Sequence, residues 1–175
     1  QYGEYESRVQ AIIQNIKENG DEALFSYTKQ FDKADINASN VKVTDEEFEE
    51  AYKAVDPALL DVIRKALVNI ESYHELQKQN SWFKSTPQGT MLGQKVTPLE
   101  KVGVYVPGGK AVYPSSVLMN IMPAKVAGVD KIIMTTPCNA EGKVNPAVLV
   151  AAKEAGADEV YKAGGAQAIA ALAFG

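Results

Sequence analysis

The sequence predicts an α/β protein in which a helical amino-terminal part precedes a parallel β-sheet. Up to about residue 100, apolar residues recur three and four positions apart, a spacing typical of amphipathic helices. From Val102 onward, short apolar segments alternate with helices rich in small residues, and glycine or proline stands at the turns. Strands and helices that alternate at this spacing favour parallel strands joined by right-handed crossovers.

The amino-terminal part is expected to contain several helices. The first helix should end at Asn19-Gly20, and a second short helix should follow it. A short extended piece, Val41–Val43, precedes Thr44, and the spacing of Thr44 and Glu47 is that of a capping box. The apolar faces of the first two helices consist of Tyr5, Val9, Ile12, Ile13 and Ile16, and of Leu24, Tyr27 and Phe31.

The longest helix is predicted to start at Asp56-Pro57, with aspartate as the cap and proline where a missing amide costs nothing. Its apolar stripe is about two heptads long, which is too short to indicate a coiled coil. Docking within its own domain is the favoured interpretation, and a dimer contact is the alternative. The stripe consists of Leu60, Ile63, Leu67, Ile70 and His74.

Beyond these helices, residues 80–98 are polar and are interpreted as the segment that connects the helical part to the sheet. They carry a weak strand signal at Met91–Val96. The predicted strands that follow are Val102–Val106, Lys131–Thr135 and Glu159–Lys162. The predicted helices of this part lie near Pro114–Ala127, Pro146–Ala155 and Ala166–Ala173. Pro123 should kink or interrupt the first of these helices.

Three parallel strands amount to half of a doubly wound sheet, and one edge of such a half-sheet would be bare. We therefore expect a helical amino-terminal part followed by an incomplete Rossmann-like parallel sheet, as a piece of a larger protein. Residues 1–101 would form the mostly helical part of the first domain. Residues 102–175 would form a nucleotide-binding half that is truncated at its carboxyl end.

Composition excludes several other classes. The 46% apolar and 23% charged content is that of an ordinary globular protein, and no run of about 20 apolar residues spans a membrane. A single cysteine excludes an internal disulfide framework and fits a reducing compartment, so a cytoplasmic location is expected. Residues 1–100 carry 17 acidic and 11 basic side chains, a poor match for nucleic acid or an anionic membrane.

Few side chains could carry catalysis. With one histidine, His74, and one cysteine, Cys138, the chain cannot build a catalytic triad or an all-nitrogen-and-sulfur metal site. His74 is interpreted as a boundary residue of the long helix, and a nucleophilic role for Cys138 is disfavoured because no histidine is near it in sequence. The turn Pro107-Gly108-Gly109 lacks a dinucleotide fingerprint, although its glycines would let backbone amides approach an anion.

Tyr105 and Gln167 are the candidate binding residues. Tyr105 interrupts a valine-rich strand just before the glycine turn, and Gln167 opens the helix after Gly164-Gly165. Both positions lie at the carboxyl ends of strands, where open α/β sheets bind ligands. A stacking ring and an amide suit a nucleotide base and ribose. Core packing of Tyr105 and helix capping by Gln167 explain the same spacing equally well.

Long blocks of the sequence resemble one enzyme family. VGVYVPGGKAVYPSSVLMNIMPAKVAGV, the strand KIIMTTP and the tail GGAQAIAALAFG are similar to signature blocks of histidinol dehydrogenase. The likeness extends back through GDEALFSYTKQFDK and NIESYHELQK, so it covers essentially the whole chain. The resemblance is to the amino-terminal part of that enzyme. One departure is Pro137-Cys138, where the family commonly has two prolines, and no effect on activity is expected from it.

The resemblance implies a zinc-dependent homodimer of histidine biosynthesis, which oxidises L-histidinol to L-histidine through an aldehyde with two molecules of NAD in succession. It also implies that Tyr105 and Gln167 contact NAD. The acid–base pair and the zinc ligands of the family would lie outside this sequence, so the chain alone is expected to be inactive. A non-catalytic nucleotide-binding module, or an interaction domain in the acidic helical half, is the alternative.

Overall fold

The structure is a computed structural model that describes residues 2–108 and 112–174. The described helices are α1 (Tyr2–Phe31), α2 (Asp45–Ala54), α3 (Pro57–Glu75), α4 (Pro114–Ala127), α5 (Pro146–Ala155) and α6 (Gly165–Phe174). The described strands are β1 (Trp82–Ser85), β2 (Met91–Gln94), β3 (Lys101–Tyr105), β4 (Lys131–Thr136) and β5 (Glu159–Lys162). None of these helices is long and apolar enough to cross a membrane.

The predicted parallel sheet is confirmed. It has the order β3-β4-β5, with Tyr105 beside Thr135 and Thr136 beside Lys162. Because Val106 still donates its amide to the Thr135 carbonyl at 2.9 Å, the backbone pairing extends one residue beyond β3, as the predicted strand did. Helices α4 and α5 are the crossovers between successive strands, which is the strand–helix alternation that the sequence indicates.

The outer edge of β5 is covered by the extended piece 41–43. Val43 donates its amide to the Val160 carbonyl at 2.9 Å, and Lys162 donates to the Val41 carbonyl at 2.8 Å. The pairing is an antiparallel bridge. Within the described ranges no strand pairs with the outer edge of β3, so the bare edge expected from the sequence is the β3 edge.

Helices cover both faces of the sheet. On one face α4 and α5 pack together, with α3 and α2 against them, and on the other face α6 packs against β3 and against α1. Gly103 allows the close approach of α6, because a Cβ there would lie 2.7 Å from a methyl group of Leu172. The main core contains the inward side chains of the strands, such as Ile132, Met134 and Val160, which are at most 1% exposed.

The local signals for helix ends are largely confirmed. Gly20 has φ 53° and ψ −130° and breaks α1 into two arms where Asn19-Gly20 was expected to end a helix. Thr44 and Glu47 form both hydrogen bonds of the capping box, at 3.3 and 3.1 Å. Asp56 caps α3 and accepts the Ala58 amide at 2.8 Å. Helix α4 continues through Pro123 and ends at Ala127, so Pro123 does not interrupt the helix.

Residues 82–94 form an antiparallel hairpin that the sequence only partly predicts. The weak strand signal at Met91–Val96 corresponds to β2, whereas β1 was not predicted. Every residue of both strands is exposed. A Cβ at Gly93 would overlap with Phe83 on the neighbouring strand, so glycine is needed for the two strands to pack.

A cluster of charged groups joins the amino end of β5 to its neighbours. The Glu159 carboxylate accepts hydrogen bonds from Lys42 and Lys131, each at 3.0 Å, and from the Tyr161 hydroxyl at 2.9 Å. The hydrogen bond from Lys42, followed by those from Lys131 and Tyr161, lowers the pKa of Glu159 from 4.5 to about 2. The folded protein therefore favours the ionised carboxylate more strongly than the unfolded chain does.

We expect Glu159→Gln to lower the free energy of unfolding at pH 7 by about 1–2 kcal/mol, since both lysines are partly exposed and solvent screens the attraction. The contribution of a carboxylate with a lowered pKa is fully present above pH 4.5 and is lost as the pH falls towards 2. Urea unfolding of both proteins between pH 7 and 3 should show the difference shrinking below pH 4.5. Glu71→Gln, on the exposed side of α3, is the control, and a pH-independent difference would contradict the assignment.

Candidate functional site

The candidate site lies at the carboxyl ends of the three parallel strands. Here β3 leads into Pro107 and Gly108, β4 into Pro137 and Cys138, and β5 into the glycine pair 164–165. Open α/β sheets bind their ligands outside this edge. Gly109, the last residue of the glycine turn singled out in the sequence, lies outside the described residues.

Tyr105 and Gln167 meet at Gly165. The Tyr105 hydroxyl accepts a hydrogen bond from the Gly165 amide at 3.3 Å, although Tyr105 and Gly165 are 60 residues apart. The Gln167 side chain folds back over the same glycine, because a Cβ on Gly165 would lie 2.7 Å from Oε1 and 3.1 Å from Nε2. Gly165 has φ +66°, which glycine adopts without strain. The two residues chosen from the sequence are thus brought to one point at the same end of the sheet.

The two side chains differ in accessibility. Tyr105 is partly buried at the end of β3, whereas Gln167 is only 2% exposed. A ligand that uses the Gln167 amide therefore requires this side chain to turn outwards from Gly165. The hydrogen bond between Tyr105 and the Gly165 amide, taken by itself, fits both a packed core and a ligand site, and it is the meeting of both side chains at the strand ends that bears on ligand binding.

Thr135 is a polar residue of this region that the sequence reasoning did not select. It is the register partner of Tyr105, is 4% exposed, and its Oγ1 has no hydrogen-bond partner among the described residues. The signal in the sequence was the pair of threonines that ends the apolar strand KIIMTT. A threonine on a strand is equally a packing residue, so this signal is weak without the structure.

A cavity of about 540 Å³ opens beside the site, and neither Tyr105 nor Gln167 lines it. Helices α2 and α5 and the loops after β3 and β4 form its walls. At its α5 side, Asn145 already accepts the Ala147 amide at 2.9 Å, so this helix start is capped by its own side chain. The cavity and the tyrosine–glutamine pair are therefore separate features of this edge of the sheet.

Cys138 lines this cavity as a buried thiol. Burial, together with the nearby Asp32 carboxylate, raises the pKa of the Cys138 thiol above 9.0. The thiol is therefore protonated at neutral pH and is a poor nucleophile. This agrees with the disfavoured nucleophilic role inferred from the sequence.

A buried ion pair ties α2 to the end of β5. Lys162 Nζ lies 2.7 Å from Glu47 Oε1, and the two side chains are 6% and 14% exposed. Lys143 extends the cluster, with its Nζ 3.8 Å from Glu47 and 3.7 Å from Glu50. The same Glu47 carboxylate caps α2, so one side chain fixes both the start of the helix and its place against the sheet.

His74 lies on α3, away from the strand ends. Its Nδ1 is 2.7 Å from Gln77 Oε1, while its Nε2 is buried without a partner in the described part of the chain. Over residues 2–108 and 112–174 no group of three histidine, cysteine, aspartate or glutamate side chains could hold a metal ion. These residues therefore do not fit a zinc site of the usual kind, which needs about three protein ligands.

Helices on both faces of a parallel sheet, with the candidate site at the strand ends, define a protein of the α/β class. The family profile for histidinol dehydrogenase matches residues 1–175. The chain belongs to the histidinol dehydrogenase family, as the resemblance of its signature blocks indicated.

Two curated relatives and one solved structure illustrate the similarity. Histidinol dehydrogenase of Bacillus subtilis is 57% identical over 172 residues, which cover 98% of this chain and 40% of the relative. The Heliobacterium mobile enzyme is 54% identical over 168 residues, covering 96% and 39%. The crystal structure of histidinol dehydrogenase from Elizabethkingia anophelis has a TM-score of 0.89 at 39% identity, covering 97% and 39%. The chain thus spans about 40% of the length of the curated relatives it matches.

Proposed function

We propose that this chain is part of a zinc-dependent, NAD-using oxidoreductase that converts L-histidinol to L-histidine via histidinal and works as a cytoplasmic homodimer. Family membership over all 175 residues supports the proposal. The observation that carries the role of this chain is the convergence of Tyr105 and Gln167 at Gly165, at the carboxyl ends of the parallel strands, where open α/β sheets bind ligands.

The residues at this edge fit NAD. A tyrosine ring offers a stacking surface, and an amide can both donate and accept hydrogen bonds to a base or ribose. The Gly165 amide holds the Tyr105 hydroxyl and so fixes the direction of the ring. NAD supplies the chemistry of hydride acceptance when it is bound. Residues 102–175 would form the NAD-binding half, and residues 1–101 would support it as a helical scaffold.

Zinc does not fit the described residues of this chain, as the lack of a ligand cluster in them indicates. On the family resemblance we place the zinc ligands and the acid–base residues outside this sequence. In the proposed enzyme those groups belong to other parts of the polypeptide, and this chain contributes binding and orientation of the cofactor.

In a full-length enzyme that contains this chain, Tyr105→Ala and Gln167→Ala are each expected to raise KM for NAD by roughly tenfold, about 1.4 kcal/mol of lost cofactor binding. The KM for histidinol should change little, because both residues are assigned to the cofactor. Initial-rate kinetics with each substrate varied in turn measures the two constants. Tyr105→Phe keeps the ring and is the matched control. Equal effects on both substrates, or an effect on kcat alone, would count against the proposed role.

A further inference from the structure

We propose that Pro137 is a positioning residue, whose ring is wedged between Gly108 and Gly164 and so holds Tyr105 and Gln167 in register at the end of the sheet. The wedge joins the loops after all three strands, since Gly108 follows β3, Pro137 follows β4 and Gly164 follows β5. The part of this proposal that concerns the cofactor rests on the proposed function.

The evidence is the close approach of the proline ring to both glycines. A Cβ on Gly108 would lie 2.8 Å from Pro137 Cγ and 3.3 Å from Cδ. A Cβ on Gly164 would lie 2.8 Å from Pro137 Cβ, 3.3 Å from Cγ and 3.4 Å from Cα. Because a proline ring is rigid and joined to the backbone, it cannot swing aside as the end of a leucine can.

Backbone conformation does not explain these two glycines. Neither Gly108 nor Gly164 has a positive φ, so alanine would suit the backbone at both positions. Gly165 is different, because its φ is +66° and an alanine there would be strained whatever surrounded it. The close packing of Pro137 is therefore the feature that requires glycine at 108 and 164.

The wedge acts on the site through short stretches of backbone. Gly108 comes three residues after Tyr105, and Gly164 is bonded directly to Gly165, whose amide donates to the Tyr105 hydroxyl at 3.3 Å. Any change in the separation of the two loops therefore lengthens or shortens this hydrogen bond. It also moves the glycine against which the Gln167 side chain packs.

The two glycines contact different atoms of the ring, which gives an asymmetric test. In Pro137→Ala the Cγ and Cδ atoms that face Gly108 are gone, whereas the Cβ and Cα atoms that face Gly164 remain. Pro137→Ala is therefore expected to rescue Gly108→Ala and to leave Gly164→Ala unrescued. If proline merely stabilised the loop in general, its replacement would affect Gly108→Ala and Gly164→Ala alike.

The test uses amide NMR of the 175-residue chain, with the hydrogen-exchange rate and chemical shift of the Gly165 amide as the readout. Gly108→Ala, Gly164→Ala and Pro137→Ala should each raise the exchange rate by roughly tenfold or more. The Gly108→Ala/Pro137→Ala double variant should exchange no faster than Pro137→Ala alone, and Gly164→Ala/Pro137→Ala should stay perturbed. Gly3→Ala, where a Cβ meets nothing within 4 Å, and Pro87→Ala, in the exposed hairpin turn, are the matched controls.

A Gly165 amide that is unchanged in Pro137→Ala, or equal rescue of both glycine variants, would overturn the wedge. If one glycine variant fails to fold, the Gly165 exchange rate of its double variant is compared with that of Pro137→Ala, and this comparison still tests the wedge. NAD binding, followed by ligand-observed NMR, should weaken severalfold in Pro137→Ala (roughly the effect of a small loss of preorganisation). Because this chain holds only half of the expected nucleotide site, the NAD measurement is repeated in a full-length enzyme that contains it. Failure to bind NAD there would contradict the proposed function while leaving the Gly165 pattern to decide the wedge.

Discussion

Replacing Glu47 by glutamine is expected to lower the free energy of unfolding by about 3–5 kcal/mol, the usual cost of leaving one member of a buried ion pair without its partner. The side chain of Lys162 is 6% exposed, and a neutral amide would replace the carboxylate oxygen that lies 2.7 Å from its Nζ. Glutamine suits the capping box as well as glutamate does, so the start of α2 should be preserved. The loss would therefore report on the charge rather than on the helix cap.

Urea unfolding of a small set of variants separates these contributions. Glu47→Gln/Lys162→Met should be more stable than Glu47→Gln alone, because removal of both charges relieves the unpaired lysine. Glu50→Gln is the matched control, since Glu50 is 71% exposed and touches the same cluster only through Lys143 at 3.7 Å. A loss below about 1 kcal/mol, the range of exposed pairs, would show that the pair is effectively solvated.

Incubated with L-histidinol, NAD and zinc, the 175-residue chain is expected to show no turnover. The only histidine lies on α3 beside Gln77, and the Cys138 thiol is held in its protonated form by burial. The described residues bring no three metal ligands together, so they do not form a zinc site of the usual kind. A complete enzyme should turn over histidinol under the same conditions, whereas this chain should show only the background rate.

The assay follows the reduction of nicotinamide by its absorbance. The Tyr105→Ala variant, prepared in the same way, gives the background from contaminating host enzyme. Turnover by the unaltered chain that clearly exceeds this background would place catalytic residues within the 175 positions. The assignment of this chain to cofactor binding and scaffold alone would then be wrong.

The helices and parallel strands were predictable because their signals are local. Caps such as Thr44 with Glu47, and the apolar strand that ends in Thr136, require only neighbouring residues to be recognised. The positions of Tyr105 and Gln167 followed from a general rule about strand ends, and the structure places both beside Gly165. Their contact with NAD remains a prediction.

What the sequence could not reveal depends on residues far apart in the chain. Neither strand of the hairpin has a buried face to leave an alternating pattern, which is why β1 gave no signal and β2 only a weak one. The pairing of Val41–Val43 with β5 requires knowledge of which segment reaches the edge of the sheet. The burial of Lys162 and the wedge of Pro137 are likewise invisible until distant loops are brought together.

The packing of α1 on α6 joins two helices that are separated by most of the described chain. Ile16 and Leu24 share a buried cluster with Ala168 and Ala170, so the apolar face of α1 is covered only after the long segment between these helices has been synthesised. Translation proceeds at about 5–20 residues per second, so this face stays uncovered for roughly ten seconds or more. A nascent chain of this family is therefore expected to expose the apolar face of α1 until α6 emerges.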